Sequence, residues 1–315
     1  RELDAKVDFD VVHHVTMGSF QLSSAMWKLK KPFVFGPVGG GNFPPKAFRS
    51  YFGNEWRREL FRVATSKLLL KFNTSTKKTA RNASVVLVTN RETDEMARKV
   101  GSTRTMLFLD TGLPPYFFPE TMPARPLGSE MKILWVGRIF PRKGLPLVLE
   151  ALSKVRKDLP FKLTILGGGY MEHIVNPLTR KLGLEDKVDW RGLVPWEEVR
   201  KAYLTHDVFM FCSLRDSFGS QFLEAMAYGL PIITLDHQGA GDHIPDDAGI
   251  KVPVSTPEET TWKLAKAVEY LYDNPDQRML LGSKGFEFAR THDWETRARR
   301  MSEIYTQAIK EYKGN

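Results

Sequence analysis

The sequence predicts an α/β protein with two domains, each built around a parallel β-sheet. Short apolar runs of strand length, such as residues 131–137 and 207–211, alternate with stretches of helical periodicity. Glycine-containing loops follow several of these runs, as they do at the strand ends of parallel sheets. The 315 residues allow two hydrophobic cores, and a proline-rich stretch at 113–130 separates them. We therefore predict a first domain at 1–127, a second at 128–295 and a C-terminal helix at 296–315.

The individual elements follow from the same patterns. In the first domain, strands are predicted at residues 8–15, 32–35, 83–89 and 105–110. Residues 18–28 predict a helix with Phe20, Leu22 and Met26 on its inner face. In the second domain, strands are predicted at 131–137, 162–166, 188–191, 207–211, 232–235 and 249–253. Helices are predicted at 145–155, 257–272, 275–290 and 294–313, with a further helix between 219 and 229.

Composition excludes several classes of protein. Hydrophobic residues make up 42% of the chain, as in ordinary globular proteins, and no apolar run is long enough to span a bilayer. We see no signal peptide. The single cysteine, Cys212, excludes an internal disulfide and suits a reducing cytoplasm. The single cysteine also excludes a multi-cysteine metal site and no pair of histidines has the spacing of metal ligands, so we expect no metal.

The positive charge is concentrated in the first part of the chain. Residues 1–130 carry 20 Lys and Arg against 12 Asp and Glu, out of 46 and 37 in the whole sequence. Much of this charge lies at 46–81, where apolar residues alternate with cations in a predicted helix or pair of helices. The segment either packs on the domain core with solvated charges or rests on an anionic membrane surface. No motif supports nucleic-acid binding.

The stretch 207–236 carries the clearest functional pattern. An apolar strand is followed by a loop with Asp216, then by a helix that contains Glu224. Phe218-Gly219 allows a tight turn and leaves the amides of Ser220 and Gln221 at the helix N-terminus, which favours a phosphate. Amides for phosphate and carboxylates for hydroxyl groups together predict a nucleotide-sugar site.

This pattern, acid-x-F-G-x-x-x-x-Glu-A-M-A-x-G-x-P, resembles the signature of the retaining glycosyltransferases of family 4, which have the GT-B fold. The resemblance implies that Asp216 lies by the donor sugar, although the family usually has Glu there, and that Glu224 binds the ribose hydroxyls. Gly137-Arg138 and Lys143-Gly144 resemble the family's G-R-x-x-x-x-K-G motif, whose cations hold the donor diphosphate. Arg142 is outside the motif and is expected to be solvated.

The resemblance implies further contacts, each from a different loop. The backbone after the strand at 188–191 touches the base in similar enzymes, which makes Leu193 a candidate. In similar enzymes a loop faces the donor across the cleft, and this loop aligns with the glycine run 36–41, near Gly39. The alternative is that the run forms a turn that requires positive φ. That run lacks the G-x-G-x-x-G spacing of a nicotinamide site. His14 is a candidate for the cleft, although a histidine on a core strand is commonly a hydrogen-bonded filler.

The resemblance implies two Rossmann-like domains facing across a cleft, with the C-terminal helix crossing back onto the first. It implies a retaining hexosyltransferase that needs no metal or cofactor. The single cysteine indicates the cytoplasm, and the segment 46–81, where it rests on lipid, indicates a peripheral position at the inner membrane face. The donor would be a UDP-, GDP- or ADP-sugar and the acceptor a glycan or lipid-linked hydroxyl. If the chain has the GT-B fold, we expect the opening strand of the first domain and its acceptor loop to be absent from this sequence. The alternatives are a non-catalytic nucleotide-sugar-binding or assembly subunit, and an epimerase of the same fold.

Overall fold

The computed structural model describes residues 7–15, 18–125 and 128–313. Contacts between Cα atoms divide the chain into two compact units. The first unit comprises Arg1–Phe43, Arg57–Gly112 and Trp294–Asn315, and the second comprises Pro44–Trp56 and Leu113–Asp293. The boundaries of the units differ from the predicted domain boundaries. Residues 44–56 group with the second unit, and the main division falls after residue 112 rather than after residue 127.

The first unit contains a parallel sheet of four strands in the order β1-β2-β3-β4. The strands are Val12–His14, Phe33–Val38, Val85–Val88 and Thr105–Leu107. Strand β3 is buried along its whole length, which is typical of a parallel strand covered on both faces. Residues Val34, Val85 and Leu87 of one face pack against Ile304 and Ala308 of the last helix.

The helices of the first unit are α1 (Glu55–Phe72), α2 (Thr74–Asn82), α3 (Arg91–Lys99) and the last helix, α11 (Trp294–Lys313). Asparagines cap two of them: the Asn73 side chain accepts from amides at the start of α2, and Asn90 does so for α3. The predicted helix at 18–28 is wrong, since only a short 3₁₀ turn forms at Met26–Leu29. The chain there is held instead by bonds to Gly39, which pairs with residues 18–20.

The second unit contains a parallel sheet of six strands in the order β10-β9-β8-β5-β6-β7. The strands are β5 (Met131–Val136), β6 (Phe161–Leu166), β7 (Val188–Trp190), β8 (Val208–Met210), β9 (Ile232–Asp236) and β10 (Gly249–Pro253). Strand β5 lies between β6 and β8, so the strand order changes direction there. In open α/β sheets this is the switch point where ligands bind, beyond the carboxyl ends of the strands.

The helices of the second unit lie between and after these strands in the chain. They are α4 (Leu145–Leu152), α5 (Val175–Lys181), α6 (Trp196–Thr205), α7 (Ser220–Ala227), α8 (Gln238–His243), α9 (Pro257–Asp273) and α10 (Pro275–Arg290). The two sheets confirm the predicted α/β class. Within the described residues, no helix combines the length and the apolar character needed to cross a bilayer.

Candidate functional site

Two loops meet at the switch point of the second sheet. The cation loop, residues 137–144, follows β5, and the acid loop, residues 211–219, follows β8. Gly137 and Gly144 make the close approach possible: a Cβ on Gly137 would lie 3.0 Å from the Phe211 ring, and one on Gly144 would lie 1.9 Å from the Cys212 carbonyl oxygen. Gly144 also has a φ of +70°, which favours glycine.

An ion pair joins the two loops. Lys143 is buried, and its ammonium contacts the carboxylate of Asp216 and lies 5.4 Å from the centre of the Phe211 ring. Burial lowers the pKa of Lys143 from its ordinary value, and the charge of Asp216 opposes that change. The structure therefore brings together two residues that the sequence had placed in separate motifs.

Arg142 is closer to this pair than the sequence indicated. Its Nη1 lies 3.7 Å from Asp216 Oδ1, and its side chain is partly buried. The expectation of a solvated Arg142 is therefore wrong. Its backbone carbonyl accepts hydrogen bonds from Leu214 N (2.8 Å), Arg215 N (3.3 Å) and Ser213 Oγ (2.8 Å). These bonds fix the cation loop directly to the acid loop.

Glu224 lies in the first turns of α7, directly after the acid loop. Its Oε2 accepts a hydrogen bond of 2.9 Å from the Tyr203 hydroxyl. Burial raises the pKa of Glu224, whereas the hydrogen bonds from Tyr203 and Ser220 favour the charged form and lower it. A half-buried carboxylate at the switch point is suited to accept hydrogen bonds from sugar hydroxyl groups.

The N-terminus of α7 provides the other groups predicted for this site. The helix begins at Ser220, Gly219 precedes it in an extended conformation, and Gln221 follows within the first turn. The Phe218 side chain is buried against Phe222 and His243, with ring centroids 5.5 and 5.8 Å away. Phe218 thus holds the turn, and any contact it makes with a ligand would come from its backbone.

Gln238 is a member of this site that sequence reasoning missed. Its side-chain Oε1 accepts a hydrogen bond of 2.9 Å from the Asp216 amide, and its own φ is +52°. The neighbouring Gly239 lies so close to the acid loop that a Cβ would be 1.3 Å from the Ser217 carbonyl oxygen. The sequence has glycines at 239 and 241, but nothing in it indicates which loop this segment supports.

Arg138 and Leu193 are exposed at the same edge of the sheet. The guanidinium of Arg138 lies 6.0 Å from the Phe140 ring, which stacks on Tyr170 at 4.8 Å. Leu193, beyond β7, exposes 83% of its surface. An exposed cation and an exposed apolar residue at the strand ends are available to a ligand that carries both a phosphate and a flat ring.

Two further candidates, His14 and Gly39, lie in the first unit. The His14 ring contacts Phe35 edge-on, with 5.6 Å between ring centroids. The Gly39 amide donates to the Gly18 carbonyl (2.7 Å) and its own carbonyl accepts from Phe20 (2.8 Å). Both backbone groups of Gly39 thus stabilise its own loop. The contacts of Gly39 and His14 with the donor substrate stay predictions from the resemblance.

His13 is the hydrogen-bonded core histidine expected at this strand. Its ring nitrogens contact the Tyr305 hydroxyl (2.7 Å) and the Gly36 carbonyl (2.6 Å). Burial lowers the pKa of His13. It therefore ties β1 to α11.

The basic segment forms a 3₁₀ turn (Lys46–Phe52), α1 and α2. Helix α1 carries apolar residues on two faces rather than one. Leu70 packs on the core, whereas Phe61, Leu68 and Phe72 expose 72%, 59% and 64% of their surface. The three lie seven and four residues apart, so they form one strip along α1, here called the α1 strip. The expectation that the apolar side of this segment packs on the core is therefore wrong for these residues.

No group of three or more histidine, cysteine or acidic residues suited to a metal ion occurs in the described part of the chain.

The fold matches solved structures over nearly the whole chain. Sucrose-phosphate synthase from Thermosynechococcus elongatus aligns with a TM-score of 0.68 and 21% identity, covering 98% of this chain and 76% of that one. HepE from Anabaena in complex with UDP aligns with a TM-score of 0.67 and 15% identity, covering 97% and 82%. These likenesses place the fold in the class of the GT-B glycosyltransferases.

The family follows from the sequence match. Residues 120–288, more than half of the chain, match the model described as glycosyl transferases group 1, and the chain belongs to this family. One relative is the GDP-mannose-dependent α-(1-6)-phosphatidylinositol monomannoside mannosyltransferase of Mycolicibacterium smegmatis. It is 28% identical over 187 residues, which cover 56% of this chain and 48% of that protein. The matches span less than half the length of the curated relatives.

Proposed function

We propose that the protein transfers a sugar from a nucleotide-sugar donor to an acceptor hydroxyl, with retention of configuration, as in glycosyltransferase family 4. The observation that supports this most directly is the pairing of Lys143 with Asp216 at the switch point, one turn before the helix that carries Glu224. A cation and an acid are thereby held where a sugar diphosphate would be cleaved.

Each side chain then has a defined role in the proposed reaction. Arg138, Lys143 and the amides at the start of α7 stabilise the charge that grows on the departing diphosphate. Because side chains and backbone supply this positive charge, the proposed reaction needs neither a metal nor a cofactor. Glu224 accepts hydrogen bonds from the ribose hydroxyls, and Asp216 orients the donor sugar. Leu193 lies against the base.

The proposed route keeps both bond changes on one face of the sugar. The bond from the anomeric carbon to the phosphate oxygen breaks, and the acceptor oxygen bonds to the same face. The acceptor proton passes to an oxygen of the departing diphosphate, which leaves as the nucleoside diphosphate. The new glycosidic bond therefore has the configuration of the donor, which NMR of the product measures directly. An inverted product would exclude this route.

A thermal-shift panel of UDP, GDP, ADP and their common sugars tests the donor site. At a ligand concentration of 100 times Kd, binding stabilises the folded state by about 2.7 kcal/mol, which raises Tm by several degrees. We expect one nucleotide to stabilise the wild type and to lose that effect in Glu224→Ala. If no nucleotide raises Tm, the proposed function fails. Binding without turnover would favour a non-catalytic subunit instead.

For the acceptor, we propose a glycan or a lipid-linked hydroxyl at the inner face of a membrane, reached from the cytoplasm. The support is the α1 strip, together with the cations Arg57, Arg58, Lys67 and Lys71 on the same helix. Aromatic and aliphatic side chains insert at the interface while lysine and arginine attract anionic lipids, each contributing about 1 kcal/mol.

Vesicle co-sedimentation tests this second proposal. We expect binding to phosphatidylglycerol vesicles but not to phosphatidylcholine vesicles, and loss of binding in the double variant Phe61→Ser/Phe72→Ser. The matched control is Leu280→Ser, which removes an exposed apolar side chain from the second unit. Equal binding by both variants would rule out the α1 strip as the membrane contact.

A further inference from the structure

Tyr203 is fully buried, yet its hydroxyl reaches the candidate ribose-binding carboxylate. It lies in α6 and donates a hydrogen bond of 2.9 Å to Oε2 of Glu224 in α7. Its ring stacks on Tyr228, with centroids 5.8 Å apart and planes 9° apart, and it also contacts Trp196 and Phe209. Aromatic packing on several sides leaves the hydroxyl little freedom to move.

Arg125 holds the backbone beneath this aromatic group. Its guanidinium donates to the carbonyls of Tyr203 (2.8 Å), Tyr228 (2.7 Å) and His206 (2.8 Å). Burial lowers the pKa of Arg125 to about 10, so it remains charged at neutral pH. Three charge-assisted hydrogen bonds join the ends of α6 and α7 at the level of Tyr203.

We propose that Tyr203 is a positioning residue for Glu224: its hydroxyl holds Oε2 and thereby orients the carboxylate to accept the ribose hydroxyls. This inference rests on the proposed function, because it assumes that Glu224 binds the donor. Without the hydroxyl, the carboxylate keeps its hydrogen bond from Ser220 but loses the one that fixes Oε2, so its orientation is less restricted. The affinity for the nucleotide falls because the correct orientation must then be recovered on binding.

The hydroxyl also affects the protonation of Glu224. The groups that favour its charged form are the hydroxyls of Tyr203, from α6, and of Ser220, from α7. Loss of the Tyr203 hydroxyl removes one of them, so the pKa of Glu224 rises further above its ordinary value. Nucleotide binding is then lost at a higher pH when the solution is acidified. A role limited to packing would not move this pH midpoint.

The test compares Tyr203→Phe with Tyr228→Phe. Both variants keep an aromatic ring and lose one hydroxyl with one hydrogen bond, since the Tyr228 hydroxyl accepts from Arg200 Nε at 3.1 Å. Calorimetry with UDP, GDP and ADP between pH 5 and 8 measures Kd. We expect Tyr203→Phe to raise Kd about five- to tenfold and to shift the acid midpoint upward, while Tyr228→Phe stays within twofold of the wild type.

The outcomes separate this inference from the proposed function. If the wild type binds a nucleotide, Glu224→Ala loses it and Tyr203→Phe keeps the wild-type Kd and midpoint, only the role of Tyr203 is overturned. If the wild type binds neither UDP nor GDP nor ADP, both proposals fall. A lower Tm of Tyr203→Phe with unchanged Kd would make Tyr203 a packing residue and would also overturn its positioning role.

Discussion

Replacement of Lys143 by alanine probes the proposed site most directly. In the structure the ammonium is buried, pairs with Asp216 and would have to be shared with a bound diphosphate. Two opposite charges 4 Å apart attract by about 4 kcal/mol at an effective dielectric constant of 20. Part of this attraction is already made with Asp216, and in the variant Arg138 and Arg142 remain to attract the diphosphate. We therefore expect a net loss of about 1.4–2.7 kcal/mol in the transition state, a ten- to hundredfold fall in kcat/KM.

The assay follows release of the nucleoside diphosphate from whichever donor the thermal-shift panel selects. Lys157→Ala is the matched control, because Lys157 is an exposed lysine of the same unit. Loss of the ion pair also lowers the free energy of unfolding, by about 1–2 kcal/mol since Arg142 still faces Asp216. Activity is therefore measured well below the Tm of the variant. A folded Lys143→Ala protein with kcat/KM within twofold of wild type would refute the assignment of Lys143 to the diphosphate.

Three further outcomes are expected. Burial raises the pKa of Glu224 above its ordinary value, so nucleotide affinity falls on acidification. Glu224→Gln, which cannot titrate there, shows no such midpoint in calorimetry. Gly144→Ala lowers the free energy of unfolding, measured in urea, by about 2 kcal/mol more than Gly183→Ala does. Both glycines have positive φ, but of the two only Gly144 lies where a new Cβ would meet backbone atoms. Gln238→Ala leaves the Asp216 amide without its acceptor and lowers kcat/KM about three- to tenfold; unchanged kinetics would show that this bond does not hold the loop.

The main features of the second unit could be predicted from the sequence because they are local. Strands β5 and β8 are apolar runs, and the loops that carry Arg138, Lys143 and Asp216 follow them in the chain. Once both loops are placed at the carboxyl ends of adjacent parallel strands, the approach of Lys143 to Asp216 follows from topology.

The remaining features depend on contacts that leave no pattern in the chain. Tyr203 lies 21 residues before Glu224 on another helix, and its hydroxyl is indistinguishable in sequence from that of any buried tyrosine. Gln238 acts through its side-chain amide, but its partner in the acid loop depends on how the chain folds after β9. The packing of helix α1 was predicted wrongly because the helix has too many apolar residues for one face. Periodicity alone does not say which of them packs inward. Tertiary packing decides each of these cases.

The single carbonyl oxygen of Arg142, which receives hydrogen bonds from Ser213, Leu214 and Arg215, has a consequence for engineering donor specificity. Because of these bonds, the cation loop and the acid loop form one structural unit. Two of the three donors, Leu214 N and Arg215 N, are backbone amides, which every residue except proline supplies, and only Ser213 Oγ depends on the side chain. Libraries that vary the acid loop should therefore keep Ser213 and exclude proline at 214 and 215, whereas residue 142 can vary because its acceptor belongs to the backbone.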